Sequence, residues 1–114
     1  MSTISKHDEN YLIMNNNQAI LNLLGIARRA GELSSGEETV LKAIRNQDAK
    51  FVFIAQDTGE SSSKKFQDKC QFYHIEYDKT FNKQQLNQAT GQKRTVYAVT
   101  QLGFARKFKE LLNM

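Results

Sequence analysis

The sequence has no proline and no tryptophan, and its single cysteine, Cys70, leaves no disulfide framework. One cysteine fits a reducing compartment, so we expect a cytoplasmic protein. No apolar run approaches the roughly 18 residues that a membrane-spanning helix needs. The first residues, MSTISKHDEN, also lack a basic start followed by an apolar core. We therefore expect neither a membrane span nor a signal peptide.

The motifs of nucleotide and metal chemistry are missing as well. There is no G-x-x-x-x-G-K-[ST] loop and no G-x-G-x-x-G loop. Cys70 and His74 lie close in sequence, but a predicted strand starts between them, and a metal site needs three or four ligands. Asp57 could accept a phosphoryl group only beside an acidic pair that holds magnesium. An enzyme of the receiver or hydrolase kind thus has no set of motifs behind it, and we expect no catalytic residue, metal or cofactor.

The net charge of +4 is unevenly distributed. Residues 1 to 50 carry six basic and six acidic side chains, whereas residues 51 to 114 carry ten and six. Within residues 92 to 114 the counts are five and one. A local basic excess favours phosphate-bearing partners through counterion release. An ordinary solvated surface can have the same composition, so charge alone does not decide between them.

The length of 114 residues predicts one domain, residues 16 to 114, behind a flexible tail of residues 1 to 15. The tail is polar and ends in three asparagines, one of which should cap the first helix. Helix and strand patterns then alternate to the C-terminus. This order predicts an α/β fold, a three-layer α/β/α sandwich around a small and mostly parallel sheet.

The predicted elements follow from apolar spacing and from helix-ending residues. They are a helix ending at Gly31, an edge strand at 32–34, a helix at 36–46, a strand at 51–56, a helix at 60–70, a strand at 72–77, a helix at 82–89, a strand at 96–99 and a last helix capped by Thr100.

Residues 34 to 57 combine a helix start with the main core strand. Ser35 and Glu38 have the spacing of a capping box, and Asn46 can end this helix in the left-handed conformation. Residues 51 to 55 form a continuous apolar run, which is typical of a strand buried on both faces. Ligands of open α/β sheets bind near the carboxyl ends of such strands, so we expect a binding site close by.

A second polar segment, residues 91 to 95, joins a helix to a strand and reads GQKRT. Loops on a rigid scaffold commonly carry recognition. The adjacent Lys93 and Arg94 offer a point charge and a planar fork, both suited to phosphate or to a guanine edge. A solubilising turn is the plain alternative, as ordinary surface charge is for Lys42 on the second helix.

The order of elements and several short strings resemble the YlxQ family, a bacterial branch of the ribosomal protein L7Ae superfamily. The similarity runs from about residue 21 to residue 111 and includes LGIARRAG, SGEE, KAI, IAQD, AVT and GFA. The resemblance implies an α/β/α sandwich with a four-stranded mixed sheet. It also implies a non-enzymatic protein that binds structured RNA, with ribosomal RNA as the expected partner and association with the ribosome.

The resemblance also suggests where RNA would bind. In the best-understood relatives, kink-turn RNA lies between the start of the second helix and a loop before the last strand. Gly36 corresponds to the glycine before the RNA-reading helix, and Lys42 to a lysine that contacts phosphate. Gly91 and Arg94 correspond to the second loop.

The chain departs from that pattern at the helix start. Kink-turn readers have asparagine or lysine in place of Glu38, and glutamate or glutamine in place of Thr39; an acidic position after the core strand is Gly59 here. Glu37 and Glu38 would repel a phosphate at the helix terminus, although a glutamate can accept from a base amino group. We therefore expect RNA binding without standard kink-turn specificity.

The predicted RNA-binding residues comprise the helix start, two arginines of the first helix and the second loop. They are Gly36, Glu37, Glu38, Thr39, Lys42, Arg28, Arg29, Gly91, Gln92, Lys93 and Arg94. A second interpretation is a protein-interaction module of the translation machinery that docks through the acidic helix start, with little direct RNA binding. In either case we expect a monomer.

Overall fold

The structure is a computed structural model that describes the backbone of residues 6–114 and the side chains of residues 16–114. In this part of the chain five helices and four strands alternate. The helices are α1 (Lys6–Arg29), α2 (Glu37–Arg45), α3 (Glu60–Phe72), α4 (Lys83–Thr90) and α5 (Leu102–Leu112). The strands are β1 (Leu33–Ser35), β2 (Phe51–Ile54), β3 (Tyr77–Asp78) and β4 (Val96–Val99).

The four strands form one mixed sheet in the order β1-β4-β2-β3. β4 is antiparallel to both of its neighbours, while β2 and β3 are parallel and are joined through α3. The four-stranded mixed sheet implied by the family resemblance is confirmed. The mostly parallel sheet inferred from the alternation is wrong, because β4 inserts between β1 and β2 and runs in the opposite direction.

Helices cover both faces of the sheet, which confirms the three-layer sandwich. On one face α1, α4 and α5 pack over an aromatic cluster in which the Phe53 and Phe108 rings meet edge to face at 5.0 Å. On the other face α2 and α3 pack over Val52 and Ile54 through side chains such as Phe66. Every residue of β2 and β4 is buried, as expected for strands covered on both sides. Among residues 6–114, no helix combines the length and the apolarity that a membrane crossing requires.

α1 ends where the sequence predicted but begins elsewhere. Gly31 adopts φ 75°, and the N–H of Glu32 donates to the carbonyl of Ala27 at 2.9 Å, which closes the helix. The helix backbone extends to Lys6, so the predicted cap by one of the asparagines at 15–17 is wrong. Residues 1–5 of the predicted tail lie outside the described residues, and the division at residue 16 stays a prediction.

The predicted N-cap of α2 is displaced by one residue, while Asn46 is the C-cap as predicted but does not adopt the left-handed conformation. Ser35 is the last residue of β1 and pairs with Tyr97, so Gly36 becomes the N-cap and no side chain caps the helix. The predicted capping box of Ser35 and Glu38 is therefore wrong. At the other end Asn46 keeps φ −83°, and Gln47 takes the left-handed conformation at φ 62°.

The strand predicted at 72–77 shrinks to two residues. α3 continues to Phe72, whose side chain is 75% exposed, and His74 turns the chain at φ 58°. The alternation of aromatic residues there reflects an exposed helix end rather than a strand. The last helix is capped by Gln101, which accepts from the N–H of Phe104 at 2.7 Å, and not by Thr100.

Candidate functional site

The start of α2 and the loop of residues 91 to 95 meet at one end of the sheet. β1 pairs with β4 so that Ser35 lies opposite Tyr97. The N–H of Gly36 then donates to the carbonyl of Val96 at 3.1 Å. Because the loop leads directly into β4, the pairing of these two strands places both predicted segments side by side.

The Arg94 side chain lies beside Gly36, where a larger residue would carry its Cβ atom. Gly36 adopts φ 91° and ψ 151°, a conformation that side chains disfavour. A Cβ atom at this position would lie 3.3 Å from Nε and 3.4 Å from Cδ of Arg94. The positive φ favours glycine at the turn from β1 into α2, and a side chain there would also displace Arg94 slightly.

The two segments line one open groove with a volume of about 390 Å³. Its lining residues are Ser35, Gly36, Glu37, Glu38, Thr39, Lys93, Arg94 and Thr95. Within the described residues, the Arg94 guanidinium makes a single hydrogen bond, from Nη1 to the carbonyl of Lys93 at 3.4 Å. Lys93 and Arg94 are both exposed, so the groove presents donors that can bind an anion or a base edge.

Side chains of α4 hold the loop backbone in place. The Asn87 Oδ1 atom accepts from the N–H of Arg94 at 3.0 Å and from the Tyr97 hydroxyl at 2.8 Å. The Thr90 Oγ1 atom accepts from the N–H of Gln92 at 3.3 Å and lies 3.1 Å from the Tyr97 oxygen. Gly91, left-handed at φ 73°, lets the chain leave α4 and turn into the loop. Lys93 and Arg94 therefore project from a fixed backbone.

The two glutamates at the helix start have different environments. Glu37 Oε1 accepts from the Ser62 hydroxyl at 2.8 Å and from Lys65 Nζ at 3.1 Å, both on α3. These contacts lower the pKa of the Glu37 carboxyl, with the Ser62 hydrogen bond as the larger cause. Glu38 forms no hydrogen bond or ion pair with the described residues. The groove therefore contains one carboxylate that is not neutralised.

The first turn of α2 keeps its backbone donors available. Val40 is the first residue whose N–H bonds back, to the carbonyl of Gly36 at 2.9 Å, and no side chain caps the turn. The N–H groups of the three preceding residues therefore lack helical acceptors. Together with the positive end of the helix dipole, they make this corner suited to a phosphate or an acceptor atom of a base.

The remaining predicted residues lie at different distances from this groove. Lys42 is one turn further along α2, in a neighbouring groove that shares Thr39 with the first. Arg28 and Arg29 are exposed in the last turn of α1, and Arg29 lines a separate groove between α1 and α4. The structure thus brings the helix start together with the loop and leaves the arginines of α1 on another surface.

The residues considered for catalysis or metal binding have structural roles instead. Asp57 Oδ1 accepts from the N–H of Lys83 at 2.8 Å and so holds the first turn of α4. Cys70 is fully buried, and burial raises the pKa of its thiol to about 12, which makes it a poor nucleophile. Within the described part of the chain, no three metal-ligand side chains come together.

Sequence reasoning missed the residues that support the groove. Asn87, Thr90 and Tyr97 hold the loop, and Ser62 and Lys65 neutralise Glu37. The only sequence signal for Asn87, Thr90 and Tyr97 is that they are polar groups close to Gly91. The first two lie among apolar positions of a helix, and the third lies in an apolar strand. Ser62 and Lys65 carry none, because their contact with Glu37 spans at least 25 residues.

Comparisons with known proteins agree on the family. The model of the ribosomal protein L7Ae/L30e/S12e/Gadd45 family matches residues 18–108. A protein of Enterococcus faecium named RNA-binding protein YlxQ is 41% identical over 97 residues, which cover 85% of this chain and 94% of that protein. A Bacillus subtilis (strain 168) protein of the same name is 42% identical over 92 residues, which cover 80% and 92%.

Solved structures show the same fold. A Bacillus halodurans protein described as having unknown function has a TM-score of 0.80 at 40% identity, covering 83% of this chain and 97% of that one. The Giardia lamblia 15.5kD RNA binding protein has a TM-score of 0.72 at 19% identity, covering 85% and 90%. The second likeness concerns the fold alone.

Proposed function

We propose that this chain, a member of the ribosomal protein L7Ae/L30e/S12e/Gadd45 family, is a non-enzymatic protein that binds structured RNA. Within that family it belongs with the YlxQ proteins. Ribosomal RNA is the expected target, with the protein associated with the ribosome. The observation that carries the proposal is the position of the Arg94 side chain beside Gly36, which joins the basic loop to the uncapped start of α2. The relatives from Enterococcus and Bacillus are named for RNA binding, which supports it.

The groove offers three kinds of contact to RNA. Lys93 and Arg94 supply positive charge for phosphates, and the planar guanidinium can also donate to a guanine edge. The free N–H groups of the first α2 turn supply neutral donors. Gly36 has no side chain and so lets the Arg94 side chain lie close to the backbone at the start of α2, while Lys42 extends the positive surface along α2.

A salt titration of paired variants tests this proposal. Affinity for purified ribosomal RNA should fall steeply as salt rises from about 50 to about 200 mM. Lys93→Ala together with Arg94→Ala should weaken binding and reduce the slope of log affinity against log salt by about 2. Arg106→Ala with Lys107→Ala is the matched control, because it removes an adjacent arginine and lysine from the exposed face of α5. Equal losses in the two double variants would overturn the site assignment.

Glu38 determines which RNA the groove accepts. Its carboxylate is exposed and unpaired among the described residues, so it repels a phosphate or an acceptor atom that an asparagine would bind. We therefore expect weak binding to a simple kink-turn RNA and tighter binding by Glu38→Asn. Glu37→Gln is the control, since Lys65 already neutralises Glu37. Tight kink-turn binding by the unchanged protein would contradict this explanation.

A docking module for another protein was the second interpretation of the acidic helix start. The pairing of Glu37 with Ser62 and Lys65 leaves only Glu38 as a free carboxylate in the groove, beside two cations. This balance favours RNA over a basic protein partner. Crosslinking in cells followed by sequencing of the attached RNA separates the two, because a protein-docking module would recover no RNA.

A further inference from the structure

A groove with a volume of about 450 Å³ lies at the opposite end of the sheet from Gly36. The Gly36 groove is found where Ile54 pairs with Val96, whereas this one lies beside the start of β2, where Phe51 pairs with Val99. Three segments form it: the turn after α2, the turn after α3 and one side of α5. A partner bound here would not compete with RNA for the same residues.

The two turns in this groove have side chains at positions where glycine is the usual residue. Gln47 follows α2 at φ 62° and His74 follows α3 at φ 58°, whereas α1 and α4 end in the left-handed glycines Gly31 and Gly91. Left-handed backbone is strained for residues other than glycine, and such strain is often retained at ligand sites. Both side chains are exposed, and neither forms a hydrogen bond within residues 16–114. Because the described fold gains no hydrogen bond from them, we expect these two side chains to serve an external partner.

Exposed apolar side chains belong to the same surface. Leu102 of α5 and Tyr73 after α3 both line the groove, and Leu102 is 48% exposed. Phe72 is 75% exposed and meets the Tyr73 ring edge to face at 5.0 Å, so it extends the apolar surface of Tyr73. Clustered apolar side chains of this size are typical of surfaces that bind another protein.

The charges of the groove favour an acidic partner. Lys50 and Lys109 line it together with the carboxylate of Glu76. Lys109 Nζ lies 3.9 Å from Glu76 Oε1, a long and partly exposed pair that holds the lysine weakly. Lys50 Nζ donates to the carbonyl of Gln47 at 2.9 Å, which keeps the ammonium at the groove and leaves its other donors for a partner. Arg106 is exposed on α5 three residues before Lys109 and adds positive charge nearby.

We infer that this groove, which we call the α3–α5 groove, docks an acidic segment of a partner protein that carries a large apolar side chain. The lysines pair with its carboxylates, Leu102 contacts the apolar side chain, and Gln47 and His74 hydrogen-bond to its backbone. RNA is disfavoured because it has a phosphate at every nucleotide and would meet Glu76, whereas a peptide can leave that position uncharged. A symmetric dimer of this chain is disfavoured because the same lysines would face each other.

A peptide selected by the purified protein from a phage-displayed library of random short peptides provides the probe. We expect the selected peptides to be rich in aspartate and glutamate around a leucine or a phenylalanine. Gln47→Gly together with His74→Gly should weaken binding of the synthetic peptide about tenfold, because two side-chain contacts are lost. The same double variant should keep or raise the melting temperature, since glycine adopts the left-handed conformation more easily. A purely structural role of the two side chains would lower the melting temperature instead.

A matched pair of charge reversals tests the electrostatic part. Lys50→Glu should weaken peptide binding about tenfold at low salt, whereas Lys79→Glu, which reverses an exposed lysine outside the groove, should change it little. Equal effects of the two, peptides without acidic enrichment, or a library that yields no binder would each overturn the inference. Binding of purified ribosomal RNA should be unchanged in the Gln47 and His74 double variant, and a loss there would assign the groove to RNA. A change in its sedimentation would assign the groove to a second copy, which also overturns the inference.

Discussion

Asn87 is predicted to set the RNA affinity without touching RNA. Asn87→Ala removes the acceptor that holds the N–H of Arg94 at 3.0 Å and the hydroxyl of Tyr97 at 2.8 Å. Without this acceptor the loop is less fixed, so RNA binding must order one or two of its long side chains. The free-energy cost is roughly 0.5–1.5 kcal/mol for each side chain. That cost corresponds to a loss of affinity between about twofold and about 140-fold. The buried Tyr97 hydroxyl loses its main acceptor as well, which should cost about 1–3 kcal/mol of stability.

Salt titrations and thermal unfolding together check this prediction. Because Asn87 is uncharged, the salt slope of Asn87→Ala should equal that of the unchanged protein, in contrast to the Lys93 and Arg94 double variant. Tyr97→Phe is the control: it removes the hydroxyl but leaves the bond between Asn87 and the Arg94 backbone. It should lower the melting temperature and leave RNA affinity unchanged. If Asn87→Ala and Tyr97→Phe bound RNA equally well, Asn87 would not position the loop.

Two further predictions follow from titratable groups. The hydrogen bonds from Ser62 and Lys65 lower the pKa of Glu37 below its usual 4.5, so they stabilise the folded protein above that pH and this contribution is lost as the pH falls through the lower value. Glu37→Gln should therefore reduce the free energy of unfolding at neutral pH and make that free energy fall less steeply as the pH is lowered. Urea titrations at several pH values measure both effects. An unchanged decrease at acid pH would contradict the pairing of Glu37 with Ser62 and Lys65. Burial raises the pKa of the Cys70 thiol to about 12, so it should react with an aromatic disulfide reagent far more slowly in the native protein than in concentrated guanidinium. Comparable rates in both states would show that the site is open to solvent.

Much of the fold is predictable because it depends on local apolar patterns. The run at 51–55 and the strand from Val96 to Val99 are buried throughout, as their uninterrupted apolar composition indicates. Gly31 and Gly91 end their helices in the left-handed conformation that glycine adopts most easily. In each case the signal and the structure lie within a few residues of each other.

The predictions from local sequence fail where a contact with a residue distant in sequence determines the secondary structure. Ser35 has a good capping spacing, but pairing with Tyr97 draws it into β1 and moves the cap to Gly36. The aromatic alternation at 72–77 resembles a strand, yet only Tyr77 and Asp78 find a partner on β2, because α3 runs on to Phe72. Strand pairing thus overrides local propensity at both places.

The candidate site shows the same division between local and distant effects. Lys93 and Arg94 are predicted from a local feature, a basic loop, whereas Gly36 is predicted through the resemblance to relatives that have a glycine before the RNA-reading helix. The charge that the start of α2 presents to the groove cannot be predicted from its local sequence, because it depends on contacts with side chains of α3. Without Lys65 and Ser62, two carboxylates would face the groove; with them, a single one remains, and the uncapped N–H groups beside it stay available. The acidic sequence at 37–38 therefore reduces the expected RNA affinity less than its composition suggests, and the selectivity of the groove falls on Glu38.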